Sequence, residues 1–120
     1  MKKTNKLIND YRDYTFSSSG YTGEDFKSFA RKYKNVIKEQ ISDRGEIVKW
    51  SPNHYDLSGF VRHNETGKLV YFSISDVRWS DDWFNSVLIR TAEHDRDFRG
   101  GHNNFTPLTE FGQMFEELVG

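Results

Sequence analysis

The stretch Tyr55–Val77 reads YDLSGFVRHNETGKLVYFSISDV. Two β-prone runs, 55–63 and 68–77, flank NETG at 64–67, which has the composition of a hairpin loop. Pairing His63 with Lys68 sets Val61 opposite Val70, Gly59 opposite Phe72 and Leu57 opposite Ile74. That register gathers one apolar face, with Gly59 leaving room for the Phe72 ring. The other face holds Asp56, Ser58, Phe60 and Arg62 against Leu69, Tyr71, Ser73 and Ser75, and this half-polar surface is expected to meet water or a partner. A slip of one residue would turn the apolar set outward, so the register commits the chain to a sheet covered on one side.

Upstream, Phe26, Phe29, Ala30, Tyr33, Val36, Ile37 and Ile41 recur at helical spacing, while Lys27, Arg31, Lys34 and Lys38 fall mostly elsewhere. Thr22 is placed to cap this helix with Asp25 three residues on, and SDRG at 42–45 ends it. EIVKW at 46–50 reads as a strand closed by a turn at Pro52 and Asn53. Downstream, RWSDDWF at 78–84 reads as a loop of acids and large rings, and SVLIRTA at 86–92 as a fourth strand. Thr106 and Pro107 are placed as cap and first residue of a last helix lined on one side by Leu108, Phe111, Met114, Phe115 and Leu118. The expected fold is α+β: a four-stranded antiparallel meander with helices before and after it, in the order α-β-β-β-β-α. Residues 1–21 read as a polar, partly mobile N-terminal arm with Leu7, Ile8 and Tyr11 on one short helical face, and 22–120 as a single domain.

With 120 residues there is room for one domain. The chain is 16% aromatic and 35% hydrophobic, so large rings must supply much of the core. A mean hydropathy of -0.82 requires a polar surface. Having no cysteine rules out disulfides, thiolate catalysis and Cys-based zinc sites, and suits a cytoplasmic setting. The basic N-terminus has no apolar run behind it to make a signal peptide, and no apolar stretch reaches bilayer length. A net charge of -1 argues against a general nucleic-acid binder. The charge is uneven: residues 1–60 hold 11 Lys and Arg against 8 Asp and Glu, whereas residues 61–120 hold 6 against 10.

RTAEHDRDFRGGHNNFTP at 90–107 concentrates chemically able side chains in that acidic half. His94, Asp97 and His102, with Asp95 in reserve, are of the types that bind zinc or manganese, although their spacing matches no strong motif. A His–Asp pair beside an arginine would serve general acid–base chemistry or phosphodiester cleavage, but no nucleophile sits on a strained elbow. RGGHNNF lacks the pattern of a phosphate loop, and paired glycines serve turns far more often. The simplest reading is an internally bonded connector: Asp95, Asp97, Asn103 and Asn104 close Asx turns, and Arg90 and Arg99 pair with local carboxylates. Rigid loops also make good binding surfaces. Asp76, Asp81, Asp82, Glu93, Asp95 and Asp97 fall at strand ends or in loops, with Trp79 and Trp83 among them, and acids beside large rings form a candidate partner-binding surface. No catalytic residue, metal ligand or cofactor is assigned in this reading.

The segment VLIRTAEHDRDFRGGHNNFTPLTEF, 87–111, resembles one shared by small accessory proteins of phages, plasmids and conjugative elements of Gram-positive bacteria. The matching features are RTA, the acid–aromatic–basic step Asp97-Phe98-Arg99, GG and the TPL helix start, and they cover about the last third of the chain. In type the whole chain also resembles an anti-CRISPR protein: small, cysteine-free, aromatic-rich, with clustered acids. The resemblance implies a non-enzymatic inhibitor of a type II RNA-guided nuclease, acting in the cytoplasm of the bacterial host. Such nucleases read the PAM duplex through arginines and hold nucleic acid in a positive channel. Carboxylates of Asp81, Asp82, Asp95 and Asp97 would stand where phosphates or base edges sit, in charge-assisted pairs with arginine. The alternatives are a metal-dependent hydrolase or nuclease centred on His94, Asp97 and His102, and an interaction module for another host partner using Phe60, Arg62 and Tyr71.

Overall fold

The computed structural model describes residues 2–10, 23–53, 56–75 and 82–120. It is α+β, with three helices and a five-stranded antiparallel sheet. Helices α1 (Lys2–Asp10) and α2 (Gly23–Ile41) precede strands β1 (Gly45–Asn53), β2 (Asp56–His63), β3 (Leu69–Ile74), β4 (Val87–Ala92) and β5 (Asn104–Thr106), and α3 (Phe111–Val119) follows them. The strands lie side by side in chain order, a meander throughout.

The β2–β3 hairpin adopts the register its alternation predicts: Leu57 faces Ile74, Gly59 faces Phe72 and Val61 faces Val70. His63 N–H donates to Lys68 C=O at 2.8 Å, and Gly67 closes the loop at φ 75°, a left-handed conformation that suits glycine. A Cβ on Gly59 would lie 3.0 Å from the Phe72 ring and 2.6 Å from Lys49 C=O, so the missing side chain makes the ring's room. β1 is longer than EIVKW: Pro52 pairs with Leu57 and Asn53 with Asp56, so these two residues extend the strand rather than turn it. An edge strand has no second ladder to supply, so Pro52 breaks nothing there. Its register shifts between Ile47 and Lys49, a bulge at Val48.

The expected four strands become five. Asn104–Thr106 pairs with Ile89, Leu88 and Val87, which makes Thr106 a strand residue and not a helix cap. Pro107 is extended at ψ 147°, a 3₁₀ turn over Leu108–Glu110 follows it, and α3 begins only at Phe111. The cap expected at Thr22 lies outside the described residues.

The core occupies one face of the sheet. Phe29, Tyr33, Val36, Ile37 and Ile41 of α2 and Phe111, Phe115 and Val119 of α3 close over Leu57, Val61, Val70, Phe72, Ile74, Val87 and Ile89, all buried. α1 joins this layer: Leu7 is buried on it, and Glu39 of α2 accepts from Lys3 N–H at 3.0 Å and Thr4 N–H at 2.9 Å, capping α1 from another helix. Buried Gln40 links all three helices, donating to Thr4 Oγ1 at 3.1 Å and accepting from Gly112 N–H at 3.0 Å. A Cβ on Gly112 would fall 2.2 Å from Gln40 C=O, so α3 approaches α2 this closely because residue 112 is glycine. His63 ties the hairpin to α3. Its Nδ1 accepts from Glu65 and Thr66 N–H at 3.3 Å, which leaves Nε2 to donate to Glu116 at 3.0 Å. Among the described residues, no helix is long and apolar enough to cross a membrane.

Candidate functional site

The sheet's second face is covered by the chain between β4 and β5. Tyr71 of β3 and Arg90 of β4 are cross-strand partners on this face. Arg90 is only 4% exposed, and its guanidinium stands 4.6 Å from the centre of the Tyr71 ring. A charge taken this far from water requires hydrogen-bond acceptors. Arg90 finds them in main-chain carbonyls, donating to Gly100 C=O at 2.5 Å and Asp97 C=O at 3.0 Å. The expected pairing of Arg90 with a carboxylate is thus replaced by carbonyls that fold the loop back over the sheet.

Asp97 fixes the loop from within. Its carboxylate accepts from Glu93 N–H at 3.0 Å, Gly100 N–H at 2.7 Å and Arg99 N–H at 3.2 Å. The N–H groups of Glu93 and Gly100 hold its carboxyl below the ordinary aspartate value; burial works weakly against this, and Arg99 N–H and the Arg90 charge add to it. Gly101 takes φ 78°, and a Cβ there would fall 2.4 Å from Thr91 C=O, so the second glycine of the pair is needed where the loop crosses β4. Asn104 Nδ2 donates to His102 C=O at 2.9 Å, a local side-chain turn of the kind its sequence suggests.

Phe98 is what the loop sets on the sheet. Its ring meets Phe60 edge-on at 5.5 Å and Tyr71 at 5.7 Å. Lys49 Nζ lies 5.3 Å from the Phe98 ring and donates to Asp95 C=O at 3.3 Å. Phe60 is 1% exposed as a result, while Phe98 keeps 54% of its own surface in water. Expecting Phe60 to meet solvent or a partner therefore needs correcting: the chain's own loop buries it, whereas Tyr71 is only half-buried and Arg62 stays exposed, paired with Glu46 across β1–β2. In the sequence Phe98 is the middle of an acid–aromatic–basic step, and a lone ring in a charged loop gives no sign of which surface it will cover.

The candidate partner-binding residues separate. Glu93 and Asp95 are exposed on this loop, and Asp97 is half-buried and turned inward. Asp82 is exposed before β4, where it accepts from Asn85 Nδ2 at 2.7 Å. Asp82 precedes the 3₁₀ turn Trp83–Asn85 and β4 while Glu93 follows β4, so the six residues of that strand, about 20 Å, stand between them. Trp83 is corrected outright as a surface anchor: it is 1% exposed and packs in the core against Phe29 at 5.1 Å and Tyr33 at 5.9 Å. Asp76, Trp79 and Asp81 lie outside the described residues.

His94 and His102 are both exposed. His94 Nδ1 accepts from Arg96 N–H at 3.1 Å, and the Asp97 oxygens are committed to main-chain N–H groups. Among the described residues, no three or more His, Asp or Glu side chains are grouped to hold a metal ion. Much of the loop's polar chemistry holds its own shape, and what it turns outward is a half-exposed ring with Glu93, Asp95, Arg96, Arg99 and both histidines. No known protein family, no curated protein and no solved structure matches this chain.

Proposed function

We propose that the protein is a non-enzymatic inhibitor that binds a basic, nucleic-acid-handling surface of a type II RNA-guided nuclease and blocks target DNA at the PAM. Its setting is the cytoplasm of a bacterial host that carries the phage or mobile element. The nuclease as target follows from the resemblance of residues 87–111 and of the chain's type. The observation that carries the binding role is the loop itself: it is braced by Arg90 and Asp97 and presents a ring that is 54% exposed together with exposed Glu93 and Asp95, with Arg96 and Arg99 exposed after them. A preorganised acidic surface with an aromatic anchor can engage arginines without first ordering itself. Asp82, exposed before β4, would extend the contact, with Asp81 beside it in the sequence.

The test is titration of the protein into a guide-loaded type II nuclease, with binding of PAM-containing duplex as the readout. Inhibition is expected to saturate at a fixed stoichiometry and to weaken as salt rises. Reversing Glu93 and Asp95 to Lys and removing the ring with Phe98→Ala should abolish it while the protein stays folded. Asp97 is left intact, because its loss would open the loop. Unchanged inhibition by the folded triple variant refutes the acidic-loop surface. Turnover of a nucleic acid by substoichiometric protein with added divalent metal refutes the non-enzymatic reading.

A further inference from the structure

The two edges of the sheet are finished differently. β1 carries a bulge, Lys49 and Pro52, all of which discourage another strand from pairing with it. β5 carries neither bulge nor lysine, Pro107 falls one residue beyond it, and among the described residues no strand pairs its outer side. Residues of α3 and the turn before it form the other wall of a groove beside this edge. The groove holds about 220 Å³ and is lined by Phe105, Thr106 and Pro107 on one side and Glu110, Gln113, Met114 and Glu117 on the other. That volume falls below the roughly 300–1,000 Å³ of small-molecule pockets. An open strand edge with a helix running beside it suits an extended chain better.

We propose that this groove binds an extended, basic segment of a partner protein, which adds as a sixth strand to β5 and lays its Lys or Arg side chains against Glu110 and Glu117. Main-chain bonds to an edge supply affinity in this mode, and side chains at alternate positions supply specificity. Phe105 is 64% exposed, the largest exposure of any big apolar side chain described, and gives the incoming strand a ring to pack on. Both charged residues lining the groove are acidic. Glu110 and Glu117 stand about two turns apart, roughly 10 Å along the helix. Residues i and i+2 of an extended chain are roughly 7 Å apart on one face, and long basic side chains bridge the difference. A second copy of this chain is the poorer occupant, since pairing β5 with β5 would set the same carboxylates against each other. With three residues, β5 offers few main-chain bonds, so the charges must contribute much of the binding.

The proposal does not depend on the partner being a nuclease. Its test uses a labelled nonapeptide of alternating Lys and Val, titrated into the full chain and followed by fluorescence anisotropy and amide NMR. Saturable binding is expected, with shifts centred on residues 104–106 and 113–117. Glu110→Lys with Glu117→Lys should weaken binding on the order of tenfold or more. Should that pair unfold the protein, Glu110→Gln with Glu117→Gln is expected to weaken binding in the same direction. Alternating Glu and Val should not bind, and N-methylation of alternate peptide amides should abolish binding while leaving every charge in place. Shifts confined to other surfaces, equal binding by the folded variants, or undiminished binding of the methylated peptide overturns the proposal. So does concentration-dependent dimerisation of the protein alone with the same β5 shifts.

Discussion

Phe72 and Tyr71 are neighbours on β3 and point to opposite sides of the sheet. Phe72 enters a layer closed by α2 and α3, where it meets Phe111 edge-on at 5.4 Å. Tyr71 lies beneath Arg90 and Phe98, under a loop pinned by main-chain hydrogen bonds. The first cover works through apolar area removed from water, which is non-directional and cooperative across the whole domain. The second works through a few directional bonds and one half-exposed ring, so it can open without unfolding the sheet. A surface meant to engage a partner belongs on the second kind of cover, where outward groups are fixed at small cost to global stability.

Removing one ring from each cover tests this contrast most severely. Trp83→Ala takes a fully enclosed ring from the helix side and should cost about 3–5 kcal/mol, lowering the melting midpoint sharply in thermal or denaturant unfolding. Phe98→Ala takes a ring that is 54% exposed and should cost about 1 kcal/mol, with faster amide exchange confined to the loop. Equal losses would show that the loop is part of the core in energetic terms. A Trp83→Ala variant of normal stability would return that ring to the surface role its acidic neighbours suggest.

Gly101→Ala acts on the loop's crossing of β4 and should come next. It forces a side chain into the left-handed region and against Thr91 C=O, for about 1–3 kcal/mol. The expected signature is uncoupling: residues 93–103 lose exchange protection while the β2–β3 hairpin keeps it. Loss of protection throughout would mean that the two covers fold as one unit.

The sequence made the hairpin legible because period-two alternation ran on both sides of a recognisable loop, and α2 because its apolar face is long. Both are local signals. β5 was not legible: three residues, Asn104, Phe105 and Thr106, are too few for a period to show, and Thr106-Pro107 looked like a helix start. Trp83 misled because its chain neighbours are acids, whereas its spatial neighbours, Phe29 and Tyr33, are more than 45 residues away. At the site, the Asx chemistry of Asp97 and the need for paired glycines could be read from local types. That Arg90 would spend itself on carbonyls, and Phe98 on Phe60, depends on the loop's fold over the sheet, which no spacing rule supplies.

The clamp on α1 is a smaller version of the loop's directional bonding, placed on the helix side. Burial pushes the Glu39 carboxyl up, but Lys3 N–H, the Thr4 hydroxyl and Thr4 N–H outweigh it and hold the group at about 2 against an ordinary 4.5. Glu39→Ala should cost about 0.5–1 kcal/mol, the low end for a lost helix cap because the group is partly solvated. A depressed carboxyl stabilises fully above its ordinary value and loses that contribution as pH falls through the folded one. Between pH 4.5 and about 2, the N-terminus of α1 should therefore loosen, with Thr4 amide shifts reporting it. Glu39→Gln should remove this transition and leave the loop signals unchanged.

Asp97 gives the mildest probe and the one that bears most directly on the outer cover. Its carboxyl is depressed below an ordinary 3.8, first by Glu93 and Gly100 N–H. The loop should stay closed down to about that pH and loosen as pH falls further, because protonation removes acceptor capacity from three N–H donors. Amide shifts of Glu93 and Gly100 would follow the opening, and the Phe60 ring signals should move with them as Phe98 lifts away. Asp97→Asn abolishes the titration and presents an N–H₂ group where a carboxylate oxygen stood, so its loop should resemble the acid form at neutral pH. If instead the Phe98–Phe60 contact survives in Asp97→Asn, ring packing holds the cover in place, and the two faces of the sheet differ less in kind than their contacts suggest.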